Sequence, residues 1–523
     1  MNFDDIKKEI EIKKAPLEKV ELNKTDNHII TNKSSVKADF SKYELYSTAN
    51  EILISMTNKI QNDINLVDVL KSEMKDPLLK YQDKDKNISI TDIPDNIYIV
   101  AIVYKLIQVS KTQGWNIAKE DDFIYLYNGG YWIQCFKNEL YNFFNSIAKR
   151  MNFYSTARAE THRFKDDLYK QFLASAEFYK AFKRDDTVLL NCLNGTLEVT
   201  QNKIELRKHN KDDFLKYVLN FNFDPTATAP IFKQYLDDVL DIDTQIVLQE
   251  FAGYIFVNHL KLEKSLILYG SGANGKSVFF EVIKALLGNS NISMMSLGDL
   301  TDKSSGEANR ALLKDKLVNY GSEIRGQNID IDIFKRLVSG EPVQARLKYG
   351  NPFMLESNTK LIFNANELPN LNEHNEAIFR RFIIIPFEKT ISKEKRDSEL
   401  HSKIINNELS GVLNWILEGL ERLLKNKDFS DSKKTNEAIE DYKKESDNVA
   451  LFIEEHNYQI TDIEEYFISI ADLYDEYKTT TKENGKHPLG KNKFSTRLKN
   501  LGFIQMSKTI HSKTAKGYLI KPL

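Results

Sequence analysis

The stretch SLILYGSGANGKSVFFEVIKALLG (265–288) decides the fold of the central part of the chain. A short apolar run leads into a glycine-rich loop, and an amphipathic helical pattern follows the loop. Glycines in such a loop allow backbone N–H groups to curl around phosphates, and the helix N-terminus adds a positive dipole end. The loop fits the pattern G-x-x-x-x-G-K-[ST] with Gly270, Ser271, Gly272, Ala273, Asn274, Gly275, Lys276 and Ser277.

This loop predicts binding of ATP with Mg²⁺. Lys276 is expected to reach the β- and γ-phosphates, and the Ser277 hydroxyl is expected to hold Mg²⁺. The alternative is a chance match in a glycine-containing loop. The strand before the loop and the helix after it favour the nucleotide site.

Further apolar runs on both sides of this loop alternate with helical stretches. Short apolar runs separated by helices are typical of strands in a parallel sheet that is buried on both faces. The sequence therefore predicts an α/β domain. The four runs are LILYG (266–270), LVNYG (317–321), KLIFNAN (360–366) and RFIIIPF (381–387).

Two of these runs end in polar residues that suit ATP hydrolysis. Glu323 follows the second run, where a carboxylate is expected to hold Mg²⁺ and polarise the attacking water. Asn366, with Asn364 as the second candidate, is expected to sense the γ-phosphate at the end of the third run. The alternatives are a surface glutamate at a strand end and an asparagine that caps a turn before Pro369.

Cations further along suit two other tasks. Arg380 and Arg381 precede the fourth run, where one of them is a candidate arginine finger for a neighbouring subunit's ATP. The segment 343–355 predicts a β-hairpin from which Arg346 and Lys348 project, with Tyr349 beside them. The alternatives are a pair of surface arginines and a solvated hairpin with scattered charges.

The last part of the chain is basic. Residues 478–523 contain eleven Lys and Arg residues and one acid, Glu483, although the whole chain has a net charge of −2. Helix, basic helix and hairpin follow in the order of a winged helix, which predicts a DNA-binding surface. The alternative is a solvated basic face on a packing domain. The residues predicted to face DNA are Lys491, Lys493, Arg497 and Lys499.

Composition bounds the remaining possibilities for the 523 residues. The two cysteines are far apart, which favours a reducing cytoplasm over a disulfide or cysteine-zinc framework. No secretory signal and no long apolar run is apparent, so we expect no membrane partner. Composition shifts divide the chain into a charged, partly flexible N-terminal region (1–90), a mostly helical domain (91–230), the ATPase motor (231–425), a charged linker or solvated helix (426–447) and the basic terminal domain (448–523).

Taken in order, these motifs resemble superfamily III DNA helicases, in the branch of phage, plasmid and poxvirus primase-helicases and of replication genes in mobile genomic islands. The resemblance rests on GSGANGKS (270–277), LVNYGSE (317–323), FKRLVSGEPVQARLKYGNPFMLE (334–356), KLIFNANELP (360–369) and FRRFIIIPF (379–387).

The resemblance implies an AAA+-type P-loop motor that forms a homo-hexameric ring and moves 3′-to-5′ on single-stranded and forked DNA. It also implies that the 343–355 hairpin points into the channel of the ring, where Arg346 and Lys348 contact DNA phosphates and Tyr349 stacks on a base. If the replication system primes DNA, a separate primase or polymerase is an expected partner. This chain departs from the family at Ser322, where a second acid often precedes the position of Glu323, which puts the direct Mg²⁺ contact in doubt. Two other readings stay open: an ATPase of another task, such as DNA packaging or clamp-type remodelling, and an origin-binding initiator that uses ATP as an assembly switch.

Overall fold

The computed structural model describes residues 48–60, 64–73, 89–179, 187–321, 324, 329–348, 350–369, 376–510 and 513–522. Much of the region predicted as charged and partly flexible (1–90) lies outside these ranges. Its described part contains two helices, Ala49–Asn58 (α1) and Leu66–Glu73 (α2). Both pack by apolar side chains on the helices that follow.

The next region combines helices with two antiparallel three-stranded sheets. A hairpin turns at Asn128-Gly129-Gly130, where the Asn128 side chain accepts from the N–H groups of Gly130 and Tyr131 and closes the turn. The helices are Asp95–Gln113 (α3), Lys137–Arg150 (α4), Thr156–Ala159 (α5) and His162–Ser175 (α6). The strands are Ile117–Glu120 (β1), Phe123–Tyr127 (β2), Trp132–Cys135 (β3), Val188–Cys192 (β4), Gly195–Val199 (β5) and Ile204–Arg207 (β6).

The central domain is built around a five-stranded sheet in which every neighbouring pair is parallel. The prediction of a buried parallel sheet from the four apolar runs is therefore confirmed. A separate two-stranded hairpin carries the sequence predicted to contact DNA. The strands are Ser265–Tyr269 (β7), Ile292–Ser293 (β8), Val318–Gly321 (β9), Val343–Arg346 (β10), Pro352–Leu355 (β11), Lys360–Ala365 (β12) and Phe382–Pro386 (β13), and the sheet order is β13-β7-β12-β9-β8.

Helices cover both faces of this sheet, which explains why successive strand residues are buried on both faces rather than on alternate ones. One face packs on α7, α8, α9 and α14, and the other on α10, α11, α12, α13 and the hairpin. These helices are Pro230–Val239 (α7), Ile242–Tyr254 (α8), Lys276–Leu287 (α9), Leu297–Thr301 (α10), Gly306–Ala311 (α11), Ile331–Ser339 (α12), Glu376–Phe379 (α13) and Leu400–Asn426 (α14).

The charged segment 426–447 contains a helix, Lys433–Ser446 (α15), that packs on the sheet. Its charged residues face outward, but Tyr442 is buried against Phe379 and Phe382, and its hydroxyl donates to the Pro369 carbonyl over 2.5 Å. One aromatic residue among many charges thus fixes the segment to the central domain. A solvated helix was one of the two predicted forms of this segment. The charge pattern did not indicate that Tyr442 would be buried.

The C-terminal unit has its own small core. Its helices are Asn448–Glu455 (α16), Ile470–Glu483 (α17) and Lys491–Asn500 (α18), and its strands are Tyr458–Ile460 (β14), Phe467–Ser469 (β15), Gln505–Ile510 (β16) and Lys513–Pro522 (β17). The long strand β17 pairs with the other three. In the part of the chain that is described, no helix is both long and apolar enough to cross a membrane.

Candidate functional site

The glycine-rich loop joins β7 to α9 at the carboxyl edge of the parallel sheet. Its path requires left-handed backbone at Gly272 (φ 105°), Ala273 (φ 52°) and Gly275 (φ 97°). Glycine adopts such angles without the steric cost that a Cβ atom brings. At Gly270 a Cβ atom would lie 2.1 Å from the Asn274 side chain, so the loop closes only because that position is glycine.

Lys276 is the best-defined cation of the site. It is buried, and its Nζ donates to the Gly270 carbonyl and, over 3.2 Å, to Asn274 Oδ1. Burial lowers the pKa of the Lys276 ammonium from its ordinary value. The two acceptors are neutral, so the positive charge of Lys276 has no carboxylate partner among them. Such a charge is available to an anion held in the loop.

Three contacts hold the loop on the sheet. The Gly270 N–H donates to the Ala365 carbonyl over 3.0 Å, and Asn274 Nδ2 donates to the Phe387 carbonyl over 2.9 Å. The Tyr235 hydroxyl donates to the Gly275 carbonyl over 2.9 Å from helix α7. The loop is thus fixed to the ends of β12 and β13 and to α7. No local pattern indicates the Tyr235 contact, since 40 residues separate the partners.

The loop also fits the phosphates that its sequence predicts. In the part of the chain that the structure describes, no protein acceptor lies within hydrogen-bond distance of the backbone N–H groups of Ser271 to Gly275. These N–H groups precede the N-terminus of α9, and the Ser277 side chain is exposed beside them. A concave set of backbone donors at a helix N-terminus is a site for an anion, and a hydroxyl next to it suits a Mg²⁺ ion.

The predicted phosphate sensors lie at the same edge. Asn364 is half-buried in β12, and its Oδ1 accepts from the Tyr320 hydroxyl over 3.3 Å. Asn366 is exposed just beyond the end of β12, next to Ala365, which accepts the hydrogen bond from the loop. Strand β9 ends at Gly321, and the predicted acid Glu323 lies outside the described residues, so its place relative to the loop stays a prediction.

Arg380 and Arg381 differ sharply although they are neighbours. The Arg381 side chain is 9% exposed, and it is bound to Glu263 over 2.9 Å and to Ser339 Oγ over 3.2 Å. The Arg380 side chain is 64% exposed and lies 3.7 Å from the same carboxylate. Both precede β13 at the amino edge of the sheet. Arg381 is therefore part of the domain's own packing, and Arg380 presents its guanidinium to solvent.

The predicted hairpin is formed by β10 and β11, in register Ala345 to Phe353. Arg346 and Lys348 are exposed on it, and Tyr349 lies outside the described residues. A residue that sequence reasoning missed holds the base of the hairpin: buried Arg310 donates to the Gln344 carbonyl over 2.8 Å and to the Leu300 carbonyl over 2.9 Å. Burial lowers the pKa of Arg310.

The four cations predicted on α18 do not share one environment. Lys491, Lys493 and Lys499 are exposed. Arg497 instead donates twice to Asp447, with Nε and Nη2 at 2.8 and 2.6 Å from the same carboxylate oxygen. Asp447 is 3% exposed and also caps the N-terminus of α16. The ion pair therefore fixes α18 on α16 and leaves the lysines on the outer surface.

Models of known families match three consecutive parts of the chain. Residues 104–241 match the D5 N terminal like family, residues 268–381 match a family of unknown function (DUF5906), and residues 444–518 match the poxvirus D5 protein-like family. The middle match contains the glycine-rich loop, both candidate arginines and the hairpin. The last match contains the basic helix α18.

Two viral relatives carry the name helicase. The chain is 31% identical over 147 residues to one from Acanthamoeba polyphaga mimivirus, which covers 27% of this chain and 15% of the relative. It is 23% identical over 381 residues to one from Invertebrate iridescent virus 3, which covers 64% of this chain and 39% of the relative. The chain thus spans well under half of these relatives.

A solved structure, the apo NrS-1 C terminal region, aligns with 79% of this chain and 98% of its own length, at 13% identity and a TM-score of 0.44. The chain is thus similar to D5-like families in two of its parts and to two viral proteins whose names include helicase.

Proposed function

We propose that this protein is an ATP-dependent replicative DNA helicase of superfamily III, with an AAA+-type motor that forms a hexameric ring around DNA. The observation that carries the proposal is the buried Lys276 in the loop at the carboxyl edge of the parallel sheet, where the backbone N–H groups of Ser271 to Gly275 make no hydrogen bond to any described residue. In open α/β sheets, ligands bind at this edge, next to the strands where the order of connection reverses. Strand β7 is such a strand, since its neighbours β12 and β13 both follow it in sequence.

In the proposed reaction, Lys276 and the loop amides hold the β- and γ-phosphates of ATP. The Ser277 hydroxyl and Glu323 are the residues assigned to Mg²⁺, which supplies neutralisation of charge on the phosphates. Glu323 also orients the attacking water and accepts its proton. Asn366 lies past the end of β12, level with the loop, and contacts the γ-phosphate or that water.

The arginine finger acts between subunits in this proposal. Strand β7 has five residues, and at about 3.3 Å per residue it separates the amino edge, with Arg380, from the loop by roughly 16 Å. An arginine side chain does not span that distance, so Arg380 cannot serve the ATP of its own chain. A head-to-tail ring interface brings one subunit's amino edge to the next subunit's nucleotide. We assign the finger to exposed Arg380 and a structural role to Arg381.

DNA contact is assigned to two surfaces. The β10–β11 hairpin presents Arg346 and Lys348 to the phosphates of single-stranded DNA in the ring, and Tyr349 stacks on a base. The C-terminal unit acts as a winged helix in which α18 meets duplex DNA with Lys491, Lys493 and Lys499. Arg497 positions that helix through Asp447. Movement 3′-to-5′ in the replication of a phage, plasmid or genomic island belongs to the same proposal.

Strand separation on a forked duplex tests this function. Wild type, Lys276→Ala and Lys284→Ala are compared with ATP and Mg²⁺. Lys284 is the matched control, because it lies on the same helix and pairs with Glu281 on the surface. We expect unwinding by wild type and Lys284→Ala and none by Lys276→Ala. ATP hydrolysis without unwinding of any fork would instead favour an origin-binding initiator or a remodelling ATPase, which the exposed lysines of α18 also suit.

A further inference from the structure

The β1–β3 sheet contacts the central domain at the hairpin. Phe123 of β2 packs edge-on against Phe353 of β11, with ring centroids 5.6 Å apart. Phe123 and its neighbours Tyr125 and Trp132 are buried, and Phe353 is half-buried among them. An aromatic pair in this geometry adds to the free energy of apolar burial, so the contact holds two elements that are far apart in sequence.

The same sheet contacts the turn that leads into β9. The Tyr125 hydroxyl donates to Asp315 Oδ2 over 2.6 Å, and burial, then the Asp315 carboxylate, raises the pKa of Tyr125 well above its ordinary value. Lys216 joins the Asp315 and Glu120 carboxylates at 2.9 and 2.5 Å. Lys314 lies 3.3 Å from Glu120 and over the Phe123 ring at 4.4 Å. These charged and polar groups thus pair with one another where the β1–β3 sheet meets the turn before β9.

The hairpin presents different residues on its two faces. Val343, Ala345 and Leu355 are buried on the inner face, where Phe353 also lies. Arg346 and Met354 are exposed on the outer face. A residue on the inner face can therefore respond to the hairpin's position without contacting DNA itself.

We propose that the β1–β3 sheet is a coupling element that joins the DNA-contacting hairpin to the strand leading to Glu323, through the Phe123–Phe353 contact and the Tyr125–Asp315 hydrogen bond. DNA on the outer face shifts the hairpin, and the sheet transmits that shift to the turn before β9. This inference rests on the proposed function, and it assigns Phe123 and Tyr125 as positioning residues that contact neither ATP nor DNA.

ATP hydrolysis with and without single-stranded DNA tests the coupling. Phe123→Leu keeps an apolar side chain but removes the ring contact, and Tyr125→Phe removes only the hydrogen bond. Phe178→Leu is the control, since Phe178 packs on Phe172 within the N-terminal domain. We expect Phe123→Leu to keep DNA-free hydrolysis within about twofold and to lower stimulation by DNA about fivefold or more, as coupling between sites commonly does. Tyr125→Phe should lose less, and Phe178→Leu should match wild type.

A double variant distinguishes coupling through the Phe123–Phe353 contact from a general loss of packing. If Phe123 and Phe353 act as one contact, Phe123→Leu with Phe353→Leu should lose no more stimulation than either alone. Unchanged stimulation in Phe123→Leu, or an equal loss in Phe178→Leu, would overturn the inference while the helicase proposal stands. A wild type that neither hydrolyses ATP nor binds DNA would overturn both. Thermal unfolding of each variant shows whether a loss of stimulation follows from loss of fold.

Discussion

The glycine-rich loop and the basic helix α18 hold their cations in opposite ways. Lys276 is 6% exposed and is held by the loop itself, whereas Lys491, Lys493 and Lys499 are exposed on a helix surface. A buried cation in a fixed cradle acts as a single point on which the whole site depends. Surface cations act additively through a screened field, and each contributes little. Substitutions should therefore have large and specific effects in the central domain and small, graded effects in the C-terminal unit.

Outside the glycine-rich loop, the largest effect is expected at Arg380. Removing an arginine finger commonly lowers phosphoryl transfer by about 10³-fold or more, so Arg380→Ala should lose ATP hydrolysis to that extent and retain ATP binding. Arg163→Ala is the control, since that side chain is 89% exposed on α6. A mixture of Arg380→Ala and Lys276→Ala subunits should recover part of the activity, because some interfaces then contain both wild-type residues. No recovery in mixed rings would contradict action between subunits.

Glu323→Gln should reduce hydrolysis by roughly 100-fold, since it removes the proton acceptor for the attacking water and keeps the shape of the side chain. ATP affinity should change much less, because the loop and Lys276 supply most of the contacts. Glu341→Gln, an exposed glutamate of the same domain, is the control. Single-turnover hydrolysis and equilibrium binding of a labelled nucleotide measure the two effects. Equal losses of affinity and rate would remove Glu323 from the catalytic role.

Arg497 sharpens the comparison, because it is the cation of α18 that a buried partner holds in place, as in the central domain. Arg497→Ala leaves the 3%-exposed Asp447 without its cation, and a loss of about 2 kcal/mol in the free energy of unfolding is expected after allowing for solvent at Arg497. Denaturant unfolding of the full chain measures the change. A variant that is as stable as wild type but binds DNA more weakly would instead indicate that Arg497 contacts DNA directly.

Each exposed lysine of α18 should contribute one phosphate contact. Lys491→Ala, Lys493→Ala and Lys499→Ala should each lower affinity for duplex DNA evenly across sequences and reduce the salt slope of binding by about 1. Lys478→Ala, on α17, is a charge-matched control. Binding titrations over a range of salt concentrations give both values. A salt slope equal to that of wild type in all three variants would exclude α18 from the DNA interface.

The smallest effect, a change in the pH dependence of stability, is expected at Lys360, at the amino end of β12. Burial, and then Lys261, lowers the pKa of Lys360 from 10.5 to about 7, and its Nζ lies 4.2 Å over the Tyr254 ring. Between pH 7 and 10.5, Lys360 keeps its proton in the unfolded chain and loses it in the folded one. Wild-type stability should therefore rise with pH from about 7 upward. Lys360→Met should abolish that rise and be more stable than wild type near pH 6. Thermal unfolding across pH measures this. Parallel pH profiles of the two proteins would contradict it.

Local patterns predicted the sheet, the hairpin and the nucleotide loop because their signals lie within short segments. Apolar runs indicated the four strands, and the spacing of glycines and Lys276 indicated the loop. The partners that position these groups lie far away in sequence: Tyr235 for the loop, Arg310 for the hairpin and Asp447 for α18. The pair Arg380 and Arg381 shows the same limit, since both lie beside Glu263 and only their exposure in the folded domain, 64% against 9%, separates the two.

The most direct measurement records phosphate release and strand separation in one reaction on a forked duplex. The account predicts that wild type releases phosphate while the strands separate, and that Lys276→Ala does neither but still binds the fork. It also predicts that the double variant Arg346→Ala with Lys348→Ala, which alters only the hairpin surface, keeps the hydrolysis rate measured without DNA and loses strand separation. Strand separation by Lys276→Ala at the wild-type rate, or steady phosphate release by wild type without any separation, would contradict the central claim that ATP hydrolysis drives unwinding.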